Sequence, residues 1–519
     1  MAAPVVSNEI LLQKIKCFAI ISRLSVIILQ ILFNTVLPDH DAAVFNPGRH
    51  VQTANSQTSL DHIVTFLLGG LKRWDGVYFT HVAEHGYTYE NTLAFFPLFP
   101  LFVRTFANSV LFPLQFLMSF ESVILISSTL VNTLIFMKTA EILFKLGKLV
   151  TCNDTVAYTA SLLFCINPAS IFMSAVYSEC IFSYLTVTAL LKLEEGRKFS
   201  AAIYFAFTCL TRSNGLINLG YLAYILVKNA LQTLGRLYKA VMVNASMLMT
   251  IPWIYFSTTI VPYSLLIMIS VLPFIIYQYY CYQLYCMKEY TLEIPDHIMQ
   301  YARTEGLKLP SDKSSEWCNA SLPLAYSYVQ SHYWEQGFLR YWGLKQIPNF
   351  ILAAPVTILV FLLTVHYYKN NRFVLHKFQM NEFIMEIHVS ERIHKEGGNY
   401  CHIFIIGPQI LSVFGLFFIH VQVLTRLLFS STPVLYWYAA YLVLGNIPRQ
   451  KQYNKYDITH WSIVPVEKPD YLSRNWKNLV TNCIENFTCQ QFGAKCVIVY
   501  FLSYFVIGIA LFSNFLPWT

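Results

Sequence analysis

The chain of 519 residues is 55% hydrophobic and 16% aromatic but only 12% charged, about half the charged fraction of an ordinary soluble domain, which excludes a soluble globule. Apolar runs near the ~20 residues needed to cross a bilayer recur along it and no alternating strand pattern does, so the class is an all-α polytopic membrane protein and not a β-barrel. The formal charge of +8 comes from Lys and Arg in short loops between those runs, where they report topology and not a nucleic-acid partner.

The first apolar run, Ile15 to Leu37, follows Lys14 as a signal core would. At about 20 residues it is long for that role, and "NTVLPDHD" offers no small-x-small cleavage site, so it reads as a retained span near 17–37. Further spans are expected near 121–144, 156–174, 180–193, 199–212, 214–231, within 238–286, and near 347–367, 401–420, 430–446 and 494–514. That makes about eleven transmembrane helices in one multi-pass domain covering 1–519. The number of crossings in 238–286, which contains Pro252, Pro262 and Pro273, stays open. Three stretches interrupt the spans: 38–116, 288–345 and the polar 447–493. Within the first, 96–116 is apolar yet carries Pro97, Pro100, Pro113 and Arg104, a pattern for a broken or interfacial segment.

Positive residues give the spans direction. Lys138/Lys145/Lys148, Lys192/Arg197/Lys198, Lys228/Arg236/Lys239 and Lys369/Arg372/Lys377/Arg392/Lys395 read as cytosolic. Residues 38–95, "SAVYSE" at 174–179, "TRSNG" at 211–215 and "HVQVLTR" at 420–426 then fall together on the lumenal side. Segment 288–345, with six basic and seven acidic residues, is assigned there too. Of the sequons at Asn153, Asn244, Asn319 and Asn486, only Asn319 lies in a long lumenal loop. Most of the twelve cysteines sit in apolar runs as small hydrophobes; Cys318, Cys483 and Cys489 are free to pair, and no zinc spacing occurs.

The polar residues of that one face are the functional candidates. In "RWDGVYFTHVAEHGYTYENTLAFFPLFP", 73–100, a weakly amphipathic surface helix is expected from Asp75 to Gly86, with Asp75 as N-cap, catalytic carboxylate, or both. His81 and His85, four residues apart, have metal-pair spacing, as does the D-x-D pair Asp39/Asp41, but structural roles are the commoner use of both and no metal is assigned. Glu179 is a carboxylate between two apolar runs and Arg212 the one charge between two others; a solvated turn and a snorkelling side chain are the plain alternatives. Arg212 and Arg426 suit bidentate phosphate recognition, with Ser213, Asn214, His420 and Gln422 nearby. Neither a P-loop nor a G-x-G-x-x-G loop is present, which disfavours a nucleotide-dependent enzyme.

A lumenal loop with one carboxylate, a second in the next lumenal turn and arginines at the same face resemble a GT-C glycosyltransferase, a class that uses lipid-phosphate sugars. More specifically, the opening stretch, "FCINPASIFMSAVYSE", "TRSNGL", "GFLRYWGLKQIPNFILAAP", "HVQVLTRLLFSSTPVLYW" and the C-terminal "NFLPWT" resemble the PIG-V family of GPI mannosyltransferase 2, although the loop around 40–60 and the tail 447–493 do not match. The resemblance implies a GT-C-like bundle in the endoplasmic-reticulum membrane with its active site facing the lumen. It implies transfer of the second mannose, α1,6-linked, from dolichyl-phosphate-mannose to the mannosylated GPI precursor, with inversion and without a cofactor. Partners are the two lipid substrates and membrane lipids. On this reading Asp75 is the base and Glu179 the second catalytic carboxylate, Arg212 and then Arg426 receive the departing phosphate, and Trp74 faces a sugar ring. Arg73, Asn214, His420 and Gln422 complete the substrate-binding set. The rivals are another polyprenyl-phosphate-sugar transferase with a different lipid-linked acceptor, and a lipid transporter, which needs polar residues on both membrane faces.

Overall fold

A computed structural model describes residues 8–40, 45, 47, 58–243, 253, 256–287, 294–312, 315–370, 401–445 and 491–518, with the main chain alone at 234–243, 370 and 401–403. Asp41, Asn244, Pro252, Asn486, Cys483, Cys489, the basic residues 372–395 and nearly all of the 447–493 segment lie outside them. Among the described residues there is no strand.

The first helix, α1 (Asn8–Val36), shows how sequence becomes packing. Leu11, Ile15, Ala19, Ser22, Arg23, Val26 and Gln30 recur every three or four residues and are buried. Ile20, Ile21, Leu24, Ile28 and Leu32 are exposed, an apolar outer stripe suited to lipid. Among the described residues five helices are long and apolar enough to cross a bilayer: Asn8–Val36, Phe120–Thr151, Phe256–Cys286, Leu344–Lys369 and Phe492–Ser513. A pair, Val421–Ser431 with Val434–Leu444, makes a sixth only as a broken span bent by 86°.

This is the polytopic all-helical class, but about eleven full spans are not seen among the described residues. The expected spans 156–174 and 180–193 are α6 (Asp154–Cys165) and α7 (Glu179–Glu194), of 12 and 16 residues, separated by an irregular stretch. At ~1.5 Å per residue α6 is about 18 Å long. Both helices are buried on nearly every side, so their apolar character serves the protein core and not lipid contact. Of 238–286, α10 (Val261–Cys286) runs unbroken through Pro273, with Pro262 at its first turn where no N–H is needed.

The bundle is built around α5 (Phe120–Thr151), which packs on α1, α6 and α7. Next to α7 lies α8 (Lys198–Thr211), followed by α9 (Gly215–Val243) and α10. At one end sits a lobe made of α3 (Asp75–His85), α4 (Leu98–Ser109), α11 (Asp296–Glu305) and α12 (Ala325–Tyr333). The expected surface helix at 75–86 is in fact enclosed: Phe79 and Ala83, Val82, and Val77 enter three separate hydrophobic clusters, and Thr80 is buried as well. By contrast α4 exposes Leu101 and Phe102, and the turn after it exposes Phe112 and Phe116, the side chains of a segment lying against lipid. A Cys286–Cys318 disulfide ties α10 to the 288–345 segment, a bond of oxidising compartments. Asn319 is exposed beside it.

Candidate active site

The site begins with one residue in an unusual backbone conformation. Trp74 has φ 53°, a left-handed geometry costing about 1–3 kcal/mol for such a side chain. The fully buried Tyr177 hydroxyl holds it: it accepts from the Asp75 N–H at 2.9 Å and donates to the Arg73 carbonyl at 3.4 Å. Both peptides flanking Trp74 are thereby clamped. A Val176 N–H to Leu71 carbonyl bond of 3.1 Å joins the same two segments. Asp75 is therefore the first residue of α3, not its N-cap, and no side chain caps the helix. Gly86, at φ 75°, ends it as the sequence indicates.

Asp75 Oδ2 lies 2.8 Å from Arg426 Nη1, and Arg426 Nε lies 3.7 Å from Glu179 Oε1. Arg212 Nη1 pairs with the same Glu179 oxygen and donates to Ser178 Oγ at 3.3 Å. The order is thus Asp75, Arg426, Glu179, Arg212: two anions and two cations, each touching the next. Both carboxylates stand in the first turn of a helix, where the backbone dipole favours them. Arg426, on α15 (Leu424–Ser431), also lies 5.3 Å from the Phe172 ring and 5.5 Å from the Tyr177 ring. Exposure is graded: the side chains of Asp75, Arg212, Arg426 and Glu179 are 26%, 17%, 9% and 0% accessible. A ligand reaches Asp75 and Arg212 first.

The "TRSNG" turn is fixed by sterics. A Cβ on Gly215 would meet the Thr208 carbonyl oxygen at 2.4 Å, so glycine lets α9 fold back on the end of α8. Ser213 donates to Tyr326 at 2.7 Å and Asn214 to Ser431 at 3.0 Å, which docks Arg212 against α12 and α15.

The remaining sequence candidates lie around this cluster. Arg73 donates to Asn34 at 2.7 Å, to the Ser513 carbonyl at 3.0 Å and to Asp39 at 3.1 Å, and its guanidinium lies 4.3 Å from the Phe515 ring. It ties the end of α1 and the C-terminal turn to the Trp74 loop. Trp74 meets Phe515 edge-on at 6.0 Å, and its indole Nε1 has no hydrogen-bond partner among the described residues. His420 donates from Nε2 to the Trp334 carbonyl at 2.8 Å and stacks on Tyr341 at 4.6 Å; Gln422 accepts from the Tyr341 hydroxyl at 3.2 Å. These two belong to a neighbouring wall.

The histidine pair is packed into protein. His81 Nε2 is 2.7 Å from Thr88 Oγ1 and stacks on Tyr89. Burial, then His85 and His297, hold it well below its ordinary range, and His85 is pushed down to about 4 by burial and His297. Among the described residues no three His, Cys, Asp or Glu side chains are grouped to hold a metal.

Sequence reading passes over four residues that build the site. Besides Tyr177, these are Arg23, Asn132 and Glu90. Arg23, 1% exposed, donates to the carbonyls of Ser170 at 2.9 Å and Cys165 at 3.3 Å, to Ser174 Oγ at 2.8 Å, and to Ser22 and Ser170 hydroxyls. Asn132 donates to the carbonyls of Ala175 at 2.7 Å and Tyr177 at 3.3 Å. Together they hold the carbonyls of Cys165, Ser170, Ala175 and Tyr177 in a stretch whose backbone is buried throughout and therefore obliged to find partners inside the protein. That backbone delivers Tyr177 and Glu179. Glu90, fully buried, accepts from Trp317 at 3.0 Å, Tyr333 at 2.8 Å and Ser315, fastening the 315–333 segment behind α3. One signal existed: Arg23 falls on the buried Ile15/Ala19/Val26 stripe of α1.

An all-helical membrane protein with a neutral, partly accessible cluster of two carboxylates and two guanidiniums at one end has the architecture of an integral-membrane enzyme. Residues 12–519 match the family model described as Mannosyltransferase (PIG-V), and the chain belongs to that mannosyltransferase family. It is 36% identical over 510 residues to GPI alpha-1,6-mannosyltransferase 2 of Rattus norvegicus, covering 97% of each chain. Identity to the protein of that name from Homo sapiens is 34% over 509 residues, again 97% of each. With GPI mannosyltransferase 2 of Drosophila pseudoobscura pseudoobscura it is 32% over 523 residues, 98% of this chain and 100% of the relative. No solved structure matches.

Proposed function

We propose that this mannosyltransferase adds the second mannose, in α1,6 linkage, to the mannosylated GPI precursor. The donor is dolichyl-phosphate-mannose, and the enzyme is a GT-C-like bundle in the endoplasmic-reticulum membrane with its site facing the lumen. The relatives' names support the reaction, and the Asp75–Arg426 contact is the observation that carries the mechanism.

Asp75 is the most accessible of the four charged groups, and among the described residues only its Oδ2 is engaged. Its carboxylate takes the proton from the acceptor 6-hydroxyl while that oxygen bonds to the anomeric carbon on the face opposite the phosphate. The bond from that carbon to the phosphate oxygen breaks, and its electron pair leaves with dolichyl phosphate, so a β donor gives an α product. As Asp75 becomes neutral, Arg426 loses its anionic partner at the moment charge appears on the leaving phosphate. With Arg212 it supplies fixed positive charge where it is then needed. Glu179, with no accessible surface, acts through the two arginines as a positioning residue. Trp74 offers a ring face to sugar.

Lipid analysis of cells lacking the protein tests this. A GPI precursor carrying one mannose should accumulate and disappear on re-expression. Accumulation of truncated dolichol-linked oligosaccharides would assign a different acceptor.

A further inference from the structure

The stretch "GFLRYWGLKQIPNF", residues 337–350, meets the site described so far at Tyr341, which stacks on His420 and bonds Gln422. It forms a hook pinned to the end of α14 (Cys401–Phe418): Gly337 and Leu339 N–H donate to the carbonyls of Phe418 and Phe417 at 3.1 and 2.7 Å, and Trp342 Nε1 to that of Leu416 at 2.8 Å. With the His420–Trp334 bond these contacts hold open a cleft of about 750 Å³, lined by Trp334, Glu335, Arg340, Tyr341, Lys345 and His420 among others. That volume suits a sugar-phosphate headgroup.

Arg340 and Lys345 are exposed, and neither meets an acid: Arg340 donates to Ser331 Oγ at 3.0 Å, and Lys345 has no partner among the described residues. Burial lowers the His420 imidazole; neutral, with Nε2–H given to a carbonyl, it leaves Nδ1 to accept from a hydroxyl. Trp334 and Tyr341 supply ring faces. On the hook Phe338, Trp342 and Ile347 are 64%, 53% and 50% exposed, Leu344 at the cleft is 86% exposed, and Ile351 on α13 (Ile347–Asn370), part of a membrane-crossing candidate, continues the apolar surface. Aromatic and apolar residues at a span's end set the depth of lipid headgroups. The cleft's wall connects to the reaction centre, since Tyr341 bonds Gln422, about one helical turn before Arg426.

We propose that this cleft docks the inositol-phosphate headgroup of a phosphatidylinositol-type acceptor lipid, with the phosphodiester on Arg340 and Lys345 and a ring against Tyr341 or Trp334. The assignment to the acceptor rests on the function proposed above, in which Arg212 and Arg426 already serve the donor's phosphate. A separate cation pair at headgroup depth then fits the second lipid phosphate.

The test uses purified full-length protein in phosphatidylcholine nanodiscs, titrated separately with phosphatidylinositol and dolichyl phosphate and read by intrinsic tryptophan fluorescence. Arg340→Gln/Lys345→Gln should weaken phosphatidylinositol binding about tenfold or more, since two charge-assisted contacts go, and leave dolichyl phosphate binding unchanged. Arg340→Lys/Lys345→Arg should keep most of the affinity. In transfer assays the glutamine pair should raise KM for the glycolipid acceptor by a similar factor, with kcat and donor KM held. Unchanged phosphatidylinositol binding, or a loss that falls on dolichyl phosphate, overturns the proposal. Because binding needs no turnover, a wild-type protein that binds phosphatidylinositol through these residues but transfers no mannose would overturn the proposed reaction and leave the cleft standing.

Discussion

Arg23 and Glu90 are both essentially inaccessible, and neither touches a charge of opposite sign, whereas Asp75, Arg426, Glu179 and Arg212 hold one another and reach solvent at Asp75. In the first case neutral hydroxyls, carbonyls and an indole are the partners of the ion, each placed by the local fold. Removing the charge breaks that geometry, and nothing outside can replace it. In the second case the partners are themselves ions, partly accessible at Asp75 and Arg212, so an arriving charge can change the pairing without removing any of them. The difference separates charges locked into the fold from charges partnered by other charges, to which the proposed function assigns the reaction.

Four measurements would break or sharpen that contrast. Asp75→Asn keeps the shape and one acceptor for Arg426 but removes the base, so mannose transfer should fall about 10²–10⁴-fold while the melting temperature in detergent moves little; full activity would return Asp75 to a helix-start role. Arg23→Ala removes the donors to the Cys165 and Ser170 carbonyls and opens a cavity beside Phe136, so thermal unfolding should show a loss of about 3 kcal/mol or more. A variant as stable as the parent would show those carbonyls to be held by something else. Glu90→Gln preserves volume but exchanges an ionised acceptor for an amide facing three donors, at a cost of about 1–3 kcal/mol in the same measurement, with transfer per folded molecule nearly kept.

The smallest effect is a dependence on pH at the end of α3. Burial raises Glu84 to about 7, and burial with His297 lowers His85 to about 4. Between pH 7 and the ordinary glutamate value the folded chain holds the Glu84 proton more tightly than the unfolded chain, so this group gains stability as pH falls. For His85 the sign is opposite: from about 6.5 down to 4 the unfolded chain takes up a proton that the folded one refuses, and stability is lost. Relative to the parent, Glu84→Gln should therefore make acidification from pH 7 to 5 more destabilising, and His85→Gln less so. Melting curves at the two pH values decide it, and identical slopes would mean that neither group is buried enough to matter.

Much of the site's content was legible because the residues are anomalous where they stand. Asp75, Glu179, Arg212 and Arg426 are charges between apolar runs, and short-range signals place Asp75 and Gly86 at the two ends of α3. Tyr177, Asn132 and Glu90 carry no such mark, since a tyrosine in a greasy turn or a glutamate in a polar loop is ordinary until its partners are known. The span count is not confirmed for a related reason: hydropathy cannot distinguish α6 and α7, wrapped in protein, from helices wrapped in lipid.

The amino-acid sequence alone determined the membrane class, the helical periodicity and the gathering of polar residues on one face, because these follow from composition and from spacings of a few residues. Only the tertiary structure decided which charge meets which. Asp75 and Arg426 are 351 positions apart, and the hydroxyl that sets the Trp74 backbone comes from a segment about a hundred residues away, itself shaped by an arginine on the first helix. Such pairings depend on the packing of apolar helices, whose contacts are non-directional and leave no trace in local sequence.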